Sequence, residues 1–182
     1  MSRFASQLGS AACAARCAFR NGYSYRCGST IADVSPRMGW CRPQYSLDEA
    51  RAWIAAQEEL ARQGAAYEFS IWSEGRYVGG CGINHINKAN RFPNLGCWVR
   101  TSAMGRGIAP AAVRLVADHA IEKTDLIRLE IVCALGNVRS QRVAEKVGAT
   151  REGVATNPSL SAQRALGCGD VQPGQIAMRA VE

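Results

Sequence analysis

Apolar residues recur along this chain first at helical and then at strand spacing, and the switches between the two mark its elements. In "YSLDEARAWIAAQEELARQG", Ala50, Trp53, Ile54, Leu60 and Ala61 share one side of a period of about 3.6 residues. Ser46, followed three residues later by Glu49, forms a capping box, and Gly64 closes the segment, so the pattern predicts a helix over 46–63. In "YEFSIWS" the period falls to two: Tyr67, Phe69 and Ile71 alternate with Glu68, Ser70 and Trp72. "EGR" then turns the chain into "YVGGCGINHIN", which predicts an antiparallel hairpin, and Gly79, Gly80 and Gly82 point to a bulge or a close backbone approach within it.

After "KANRFPN", read as a loop, "LGCWVR" reads as a strand, followed by a glycine-rich turn and a helix over 108–122. That helix carries Ala112, Leu115, Val116, His119 and Ala120 at helical spacing, and Pro110 is tolerated because it falls in the first turn. "IRLEIVCA" predicts a strand with Ile127, Leu129, Ile131 and Cys133 on one face and Arg128, Glu130, Val132 and Ala134 on the other. "GNVRSQRVAEKVGA" predicts a short helix begun near Asn137 and stopped at Gly148. Beyond Gly153 the periodicity fades and gives only a weak signal for a terminal strand. The order is helix, two or three antiparallel strands, then strand–helix twice, an α/β chain with a mixed, mostly antiparallel sheet flanked by helices.

Composition narrows the classes. With 182 residues, 47% hydrophobic and 20% charged, the chain suits one soluble domain: an irregular segment over 1–37 and a single domain over 38–182, atypical from about 154 onward. No apolar run is long enough for a membrane span. The net charge of +7 is uneven, because residues 1–32 hold Arg3, Arg16, Arg20 and Arg26 and no acid; without any Lys/Arg run, nucleic acid is not the expected partner. That arginine-bearing start has the composition of an organelle transit peptide and a weak resemblance to a secretory signal; Gly9 and Ser10 break its apolar stretch, which argues against a signal peptide, and the plain reading is an irregular N-terminus. Eight cysteines occur without a C-x-x-C pair and beside only two histidines, which lacks zinc-ligand spacing and predicts free thiols in a reducing compartment, the cytoplasm, and no metal.

The chemistry concentrates in "CWVRTSAMGRGIAPAAVRL". A helix N-terminus offers unpaired N–H groups and the positive end of the helix dipole, and glycines let that backbone approach a phosphate closely. "MGRGIA" is therefore a candidate diphosphate cradle. A Walker P-loop requires G-x-x-x-x-G-K-[ST], which is absent, and the dinucleotide fingerprint G-x-G-x-x-G fails at its third glycine. Met104-Gly105-Arg106-Gly107-Ile108-Ala109 resembles instead, over its last four positions, the [Q/R]-x-x-G-x-[G/A] turn with which the GNAT superfamily of N-acetyltransferases holds the diphosphate of acetyl-CoA. The resemblance extends over residues 46–153, through "YEFSIW", "GRYVGGCGINHIN", "NLGCWVR" and "NVRSQRVAEKVGATREG", and is to the RimJ/RimL-like branch that acetylates ribosomal-protein N-termini.

The resemblance implies the following roles. The strand at 97–100 would splay from its neighbour, so that backbone groups of Trp98 and Val99 bind the pantetheine arm. Backbone amides of Gly105, Arg106, Gly107, Ile108 and Ala109, with the Arg106 side chain, would hold the diphosphate; Met104, in place of Arg or Gln, removes one side-chain contact. Asn137 would bond the pantetheine or cap its helix, Ser140 would lie near the thioester sulfur, and Ser140 or water would protonate the leaving thiolate. Acetyl would pass from acetyl-CoA directly to a primary amine, of a peptide N-terminus or a small molecule, and a homodimer is left open. The branch's first strand is not found before residue 30, and no Asp or Glu lies between Gly153 and Gly169, where the branch often carries a carboxylate near the amine.

Other readings stand beside these. Glu130, on the charged side of its strand, could guide protons from the amine or could simply pair with Arg128. Arg106 could be surface charge, Ser140 and Asn137 helix-end caps, His119 a packed side chain, and Trp53 and Trp72 core or rim aromatics, with His85 a lesser candidate base. The alternative for the whole chain is a degenerate CoA-binding module without efficient turnover.

Overall fold

A computed structural model describes residue 38, residues 41–155 and residues 175–180, the last six by their backbone. The expected irregular segment over 1–37 and most of the atypical stretch from about 154 lie outside the described residues. The elements are α1 (Leu47–Arg62), β1 (Tyr67–Ser73), β2 (Arg76–Asn87), β3 (Phe92–Val99), a 3-10 turn (Thr101–Ala103), α2 (Ile108–Lys123), β4 (Leu129–Ala134), α3 (Val138–Lys146), β5 (Thr150–Ala155) and β6 (Gln175–Ala180).

The strands form one sheet in the order β1-β2-β3-β4-β6-β5. The pairs β1–β2, β2–β3, β4–β6 and β5–β6 are antiparallel, and β3–β4 alone is parallel. The mixed, mostly antiparallel sheet with helices is thus the expected architecture. β6, the weakly signalled terminal strand, and β5, which the sequence did not signal, complete it, with β6 inserted between β4 and β5.

Local signals formed as expected. The Ser46 hydroxyl accepts from Glu49 N (3.1 Å) and Ser46 N donates to the Glu49 carboxylate (2.8 Å). Of the predicted apolar stripe on α1, Ala50 and Ile54 are buried and Gln57 joins them, whereas Trp53 is 41% exposed. On α2 the buried set is Ile108, Ala112, Val113, Val116, Ala117 and Ala120.

Two boundaries moved. β3 begins at Phe92, inside the expected loop; Pro93 is tolerated because the parallel ladder only begins beside it, at Asn94. β4 begins at Leu129 and leaves Ile127 59% exposed, because Ile127 N donates to Arg91 O (3.0 Å) and ties that connection to the β2–β3 turn.

The sheet's alternation sorts its two faces. Phe69, Ile71, Cys81, Ile83, Leu95, Leu129, Ile131 and Cys133 form one core cluster with Val113, Val116 and Ala120 of α2 and Ala144 of α3. Each fully buried aliphatic there contributes about 1.5–3 kcal/mol. His119 belongs to this layer, its ring edge-on to Phe69 at 5.1 Å, which matches the packed reading. The intervening residues Glu68, Asn84, Asn94 and Glu130 point to the opposite face.

Candidate active site

β3 and β4 are joined by a single register pair, Asn94 with Glu130. Beyond it no register pair joins residues 95–99 to residues 131–134 among the described residues, so the pairing ends where a splayed strand would leave a cleft. Arg100 N donates to Val78 O (2.8 Å), so by strand alternation the even-numbered peptide groups of β3 face β2. The Trp98 carbonyl accordingly lies 2.1 Å from where a Cβ on Gly79 would stand. By the same alternation the Trp98 backbone groups face β2, while those of Val99 and Cys97 face away from it. Gly79 has to be glycine because any side chain there would drive β3 off β2.

At the mouth of the cleft is the turn into α2. Gly105 and Gly107 adopt φ of +76° and +74°, which glycine takes without strain, and a Cβ built on either meets nothing within 4 Å among the described residues. Gly107 is the N-cap of α2 and supplies no side-chain cap. Pro110 has no N–H and Ala111 N bonds Gly107 O (3.2 Å), which leaves the Ile108 and Ala109 amides as donors of the first turn. Arg106 pairs with Glu74 of the β1–β2 turn at 2.9 Å, both half exposed or more. Across the gap, Arg139 of α3 brings its guanidinium to 3.3 Å from Met104 Sδ.

The other wall is the end of β4 and the start of α3. Asn137 is the N-cap, its side-chain oxygen accepting from Ser140 N (3.3 Å). Gln141 donates to the carbonyls of Ala134 (3.1 Å) and Leu135 (2.7 Å) and so fixes the turn. Ser140 Oγ lies 3.1 Å from Cys133 Sγ. Burial pushes the Cys133 thiol up, only partly offset by that contact, so the thiol stays protonated at neutral pH.

At the apex, Glu130 is ion-paired with Arg128 at 2.7 Å, and Arg128 also bridges to Glu152. Next to it runs a polar row that the sequence reading did not single out. Asn94 Nδ2 donates to Asn84 Oδ1 (3.1 Å), and Asn84 Nδ2 donates to Glu68 Oε1 (3.1 Å). Burial raises the Glu68 carboxyl to about 7, with the Asn84 bond opposing it. A Cβ on Gly82 would lie 2.2 Å from Glu68 Oε2, so that glycine makes room for the carboxylate. The facing of Glu68 and Gly82 across an expected hairpin was the available signal.

The remaining candidates lie apart. His85 is exposed, at φ 50° in a β2 bulge, its pKa lowered by partial burial. Trp72 stacks edge-on against Tyr77, which stacks on Trp98. Among the described residues no group of three or more His, Cys, Asp or Glu could hold a metal ion, and no helix is long and apolar enough to cross a membrane. Cys41, Cys81, Cys97 and Cys133 are free thiols.

Residues 29–150 match the family described as the acetyltransferase (GNAT) domain. The ribosomal-protein-serine acetyltransferase of Escherichia coli (strain K12) is 28% identical over 116 residues, 64% of this chain and 65% of that protein. YdaF of Bacillus subtilis (strain 168) is 32% identical over 88 residues, 48% of each. The chain thus matches less than two thirds of the length of these curated relatives. Among solved structures, RimL, a ribosomal L7/L12 alpha-N-protein acetyltransferase in complex with coenzyme A, superposes with a TM-score of 0.73 at 19% identity, over 95% of this chain and 90% of that one.

Proposed function

Because the chain belongs to the GNAT acetyltransferase family, with its similarities running to the RimJ/RimL-like branch, we propose that it transfers acetyl from acetyl-CoA to a primary amine. The observation that carries this reading is the single pair joining β3 to β4, with an α2 N-terminus capped by a glycine beside it. A glycine turn with open space above Gly105 and Gly107 among the described residues, leading into the first-turn amides of α2, suits a diphosphate, and a cleft edge lined by Val99 and Cys97 peptide groups suits an amide-bearing arm. The acceptor best supported by the relatives' names is a protein N-terminus; small-molecule amines are the other class tested.

Bound acetyl-CoA supplies the thioester. Gly105 to Ala109 amides and Arg106 would hold its phosphates, Arg106 exchanging Glu74 for them. Asn137 keeps the start of α3 in place as its cap. Val99 N–H, on the cleft edge of β3, is the donor for the carbonyl oxygen as it gains charge. The neutral amine attacks the carbonyl carbon, the C–S bond breaks, and the amine's surplus proton leaves to solvent. Ser140 gives the departing sulfur a proton and recovers one from water. The protonated Cys133 thiol can donate to the Ser140 oxygen, which leaves the serine hydrogen free for the cleft. Glu130, held by Arg128 at the apex, draws in the ammonium form of the amine and helps guide its proton away.

The test is incubation with isotope-labelled acetyl-CoA and a panel of N-terminal peptides, polyamines and small amines, reading free thiol and product mass together. Acetylated amine formed in step with thiol is the expected result. Tight acetyl-CoA binding with no product from any amine would leave only a cofactor-binding module.

A further inference from the structure

Cys81 of β2 and Cys97 of β3 stand directly opposite each other in the sheet, in the middle of an unbroken run of paired residues. Arg100 N donates to Val78 O one step beyond the pair of Gly79 and Val99, and counting along the ladder from there makes Cys81 and Cys97 a non-hydrogen-bonded pair. Such pairs hold facing Cα atoms about 4.5 Å apart and bring their side chains closer than the hydrogen-bonded positions do. A disulfide takes Cα atoms roughly 4.4–6.8 Å apart and Cβ atoms roughly 3.5–4.5 Å apart. The Cα spacing already fits, and Cβ atoms facing each other at about 4.5–5.5 Å have on the order of an ångström to close.

Both side chains belong to the core face, but they differ in access. Cys81 is fully buried, whereas Cys97 is half-buried and packs against the same cluster from a part of β3 that lies beyond its one pair with β4 among the described residues. The hydrogen bond with Cys97, together with burial, holds the Cys81 thiol well above its ordinary range, so Cys81 keeps its proton and shares it with the Cys97 sulfur. Oxidation of a thiol follows exposure and thiolate character, so Cys97 is the sulfur an oxidant meets first and Cys81 the thiol waiting behind it. Filling alone does not require sulfur at both members of one facing pair, where small aliphatic side chains pack as well.

We propose that Cys81 and Cys97 are a reversible dithiol–disulfide pair, and that closing it weakens the hold of the cleft on acetyl-CoA. The oxidant is hydrogen peroxide. The Cys97 sulfur, as thiolate, attacks one peroxide oxygen; the S–O bond forms, the O–O bond breaks, and the hydroxide that leaves takes up the proton Cys97 released. Cys81 then attacks the Cys97 sulfenic acid; the S–S bond forms, the S–O bond breaks, and the departing hydroxide carries off the Cys81 proton as water. The two thiols have lost two electrons and two protons, and one peroxide has become two waters. A dithiol reductant reverses the change by exchange. The Cys97 peptide groups face away from β2, so drawing its Cβ toward Cys81 moves the edge that would line the pantetheine arm. That consequence rests on the acetyl-CoA reading of the cleft, whereas the bridge itself does not.

The test treats the full chain with hydrogen peroxide, blocks the remaining thiols and maps linked peptides by mass without reduction, beside calorimetric titration of the reduced and oxidised protein with acetyl-CoA. A bridge between Cys81 and Cys97 that dithiothreitol opens is expected, and acetyl-CoA affinity should fall by about fivefold on closure and return on reduction. The map on the parent protein needs no variant to fold. In Cys81→Ala, Cys97 should accumulate as sulfenic or sulfinic acid for want of a resolving thiol, and in Cys97→Ser the Cys81 thiol should stay unmodified. Cys81 and Cys97 thiols left unlinked at a peroxide dose that oxidises other cysteines overturn the proposal, as does a bridge from either to a different cysteine. A bridge that leaves acetyl-CoA affinity unchanged overturns it too, and so does an equal fall in Cys97→Ser, which would assign the effect to another thiol such as Cys133. A reduced parent protein that binds no acetyl-CoA overturns the acetyl-CoA reading and with it the effect on binding, a result distinct from normal binding that the bridge does not change.

Discussion

Leu129 and Glu130 are neighbours on β4, yet they belong to two regions built on opposite terms. Leu129 is fully buried in a layer of aliphatic side chains and thiols beneath α2. Glu130 points to the other face, where Arg128, Asn94, Asn84 and Glu68 stand in ion pairs and amide hydrogen bonds. The first face stabilises the fold through burial. The second carries charge into partly buried positions, which costs stability, and it lies at the apex of the cleft. The comparison teaches that the sheet is anchored from one side and keeps its titratable groups on the other.

The comparison is tested most severely by Leu129→Ala, which should cost about 3–4 kcal/mol through lost burial and a cavity under α2, read as a lowered urea midpoint with unchanged slope. A loss below about 1 kcal/mol would mean that the apolar face is not what holds the sheet.

Glu68→Gln should act in the opposite sense and only at higher pH. The folded carboxyl is raised from 4.5 to about 7, so below about 4.5 both folded and unfolded states are protonated and burial carries no ionic cost. As pH rises through the interval to about 7 the unfolded chain ionises first, and stability falls. The substitution should therefore stabilise the protein by up to about 3 kcal/mol at pH 8 and by little at pH 4, measured by denaturation at both pH values. A gain independent of pH would sever the effect from ionisation.

Ser140→Ala belongs to the cleft and not to either face as a source of stability. It should lower kcat at least tenfold, about 1.4 kcal/mol, while the acetyl-CoA dissociation constant changes less than about threefold, followed by thiol release beside calorimetry. Equal turnover would reduce Ser140 to the helix-end residue that its bond to Asn137 also describes. The smallest effect on stability is expected for Glu130→Gln, below about 1 kcal/mol, because the pair with Arg128 is partly exposed and Glu152 remains as a partner. A cost as large as that of Leu129→Ala would erase the distinction between the faces.

What could be read from the chain was what neighbours in sequence decide. The Ser46–Glu49 box, the turn between β1 and β2, the glycine entry to α2 and the Asn137 cap each depend on a few consecutive residues, and each formed where its residues predicted. Alternation placed Phe69, Ile71 and Ile131 on the core face and Glu68 and Glu130 on the other, since side-chain direction in a strand follows from the pleat alone. Composition and motif together carried the family, and with it the expectation of a splayed strand.

Only the tertiary structure decided matters that depend on which distant backbone lies alongside. That Trp98 faces β2 while Val99 faces the cleft follows from the register of β2 against β3, not from either residue's type. The exposure of Ile127 follows from its bond to Arg91, and the insertion of β6 between β4 and β5 from which strand edges were open. Glu68 reads along the chain only as the polar alternate of Phe69, and becomes a half-buried acid because Gly82, fourteen residues on, leaves it a space. Hydrophobic period and capping act over a turn or two of chain, whereas burial of a charge and the meeting of two cleft walls are set by packing between segments far apart in sequence.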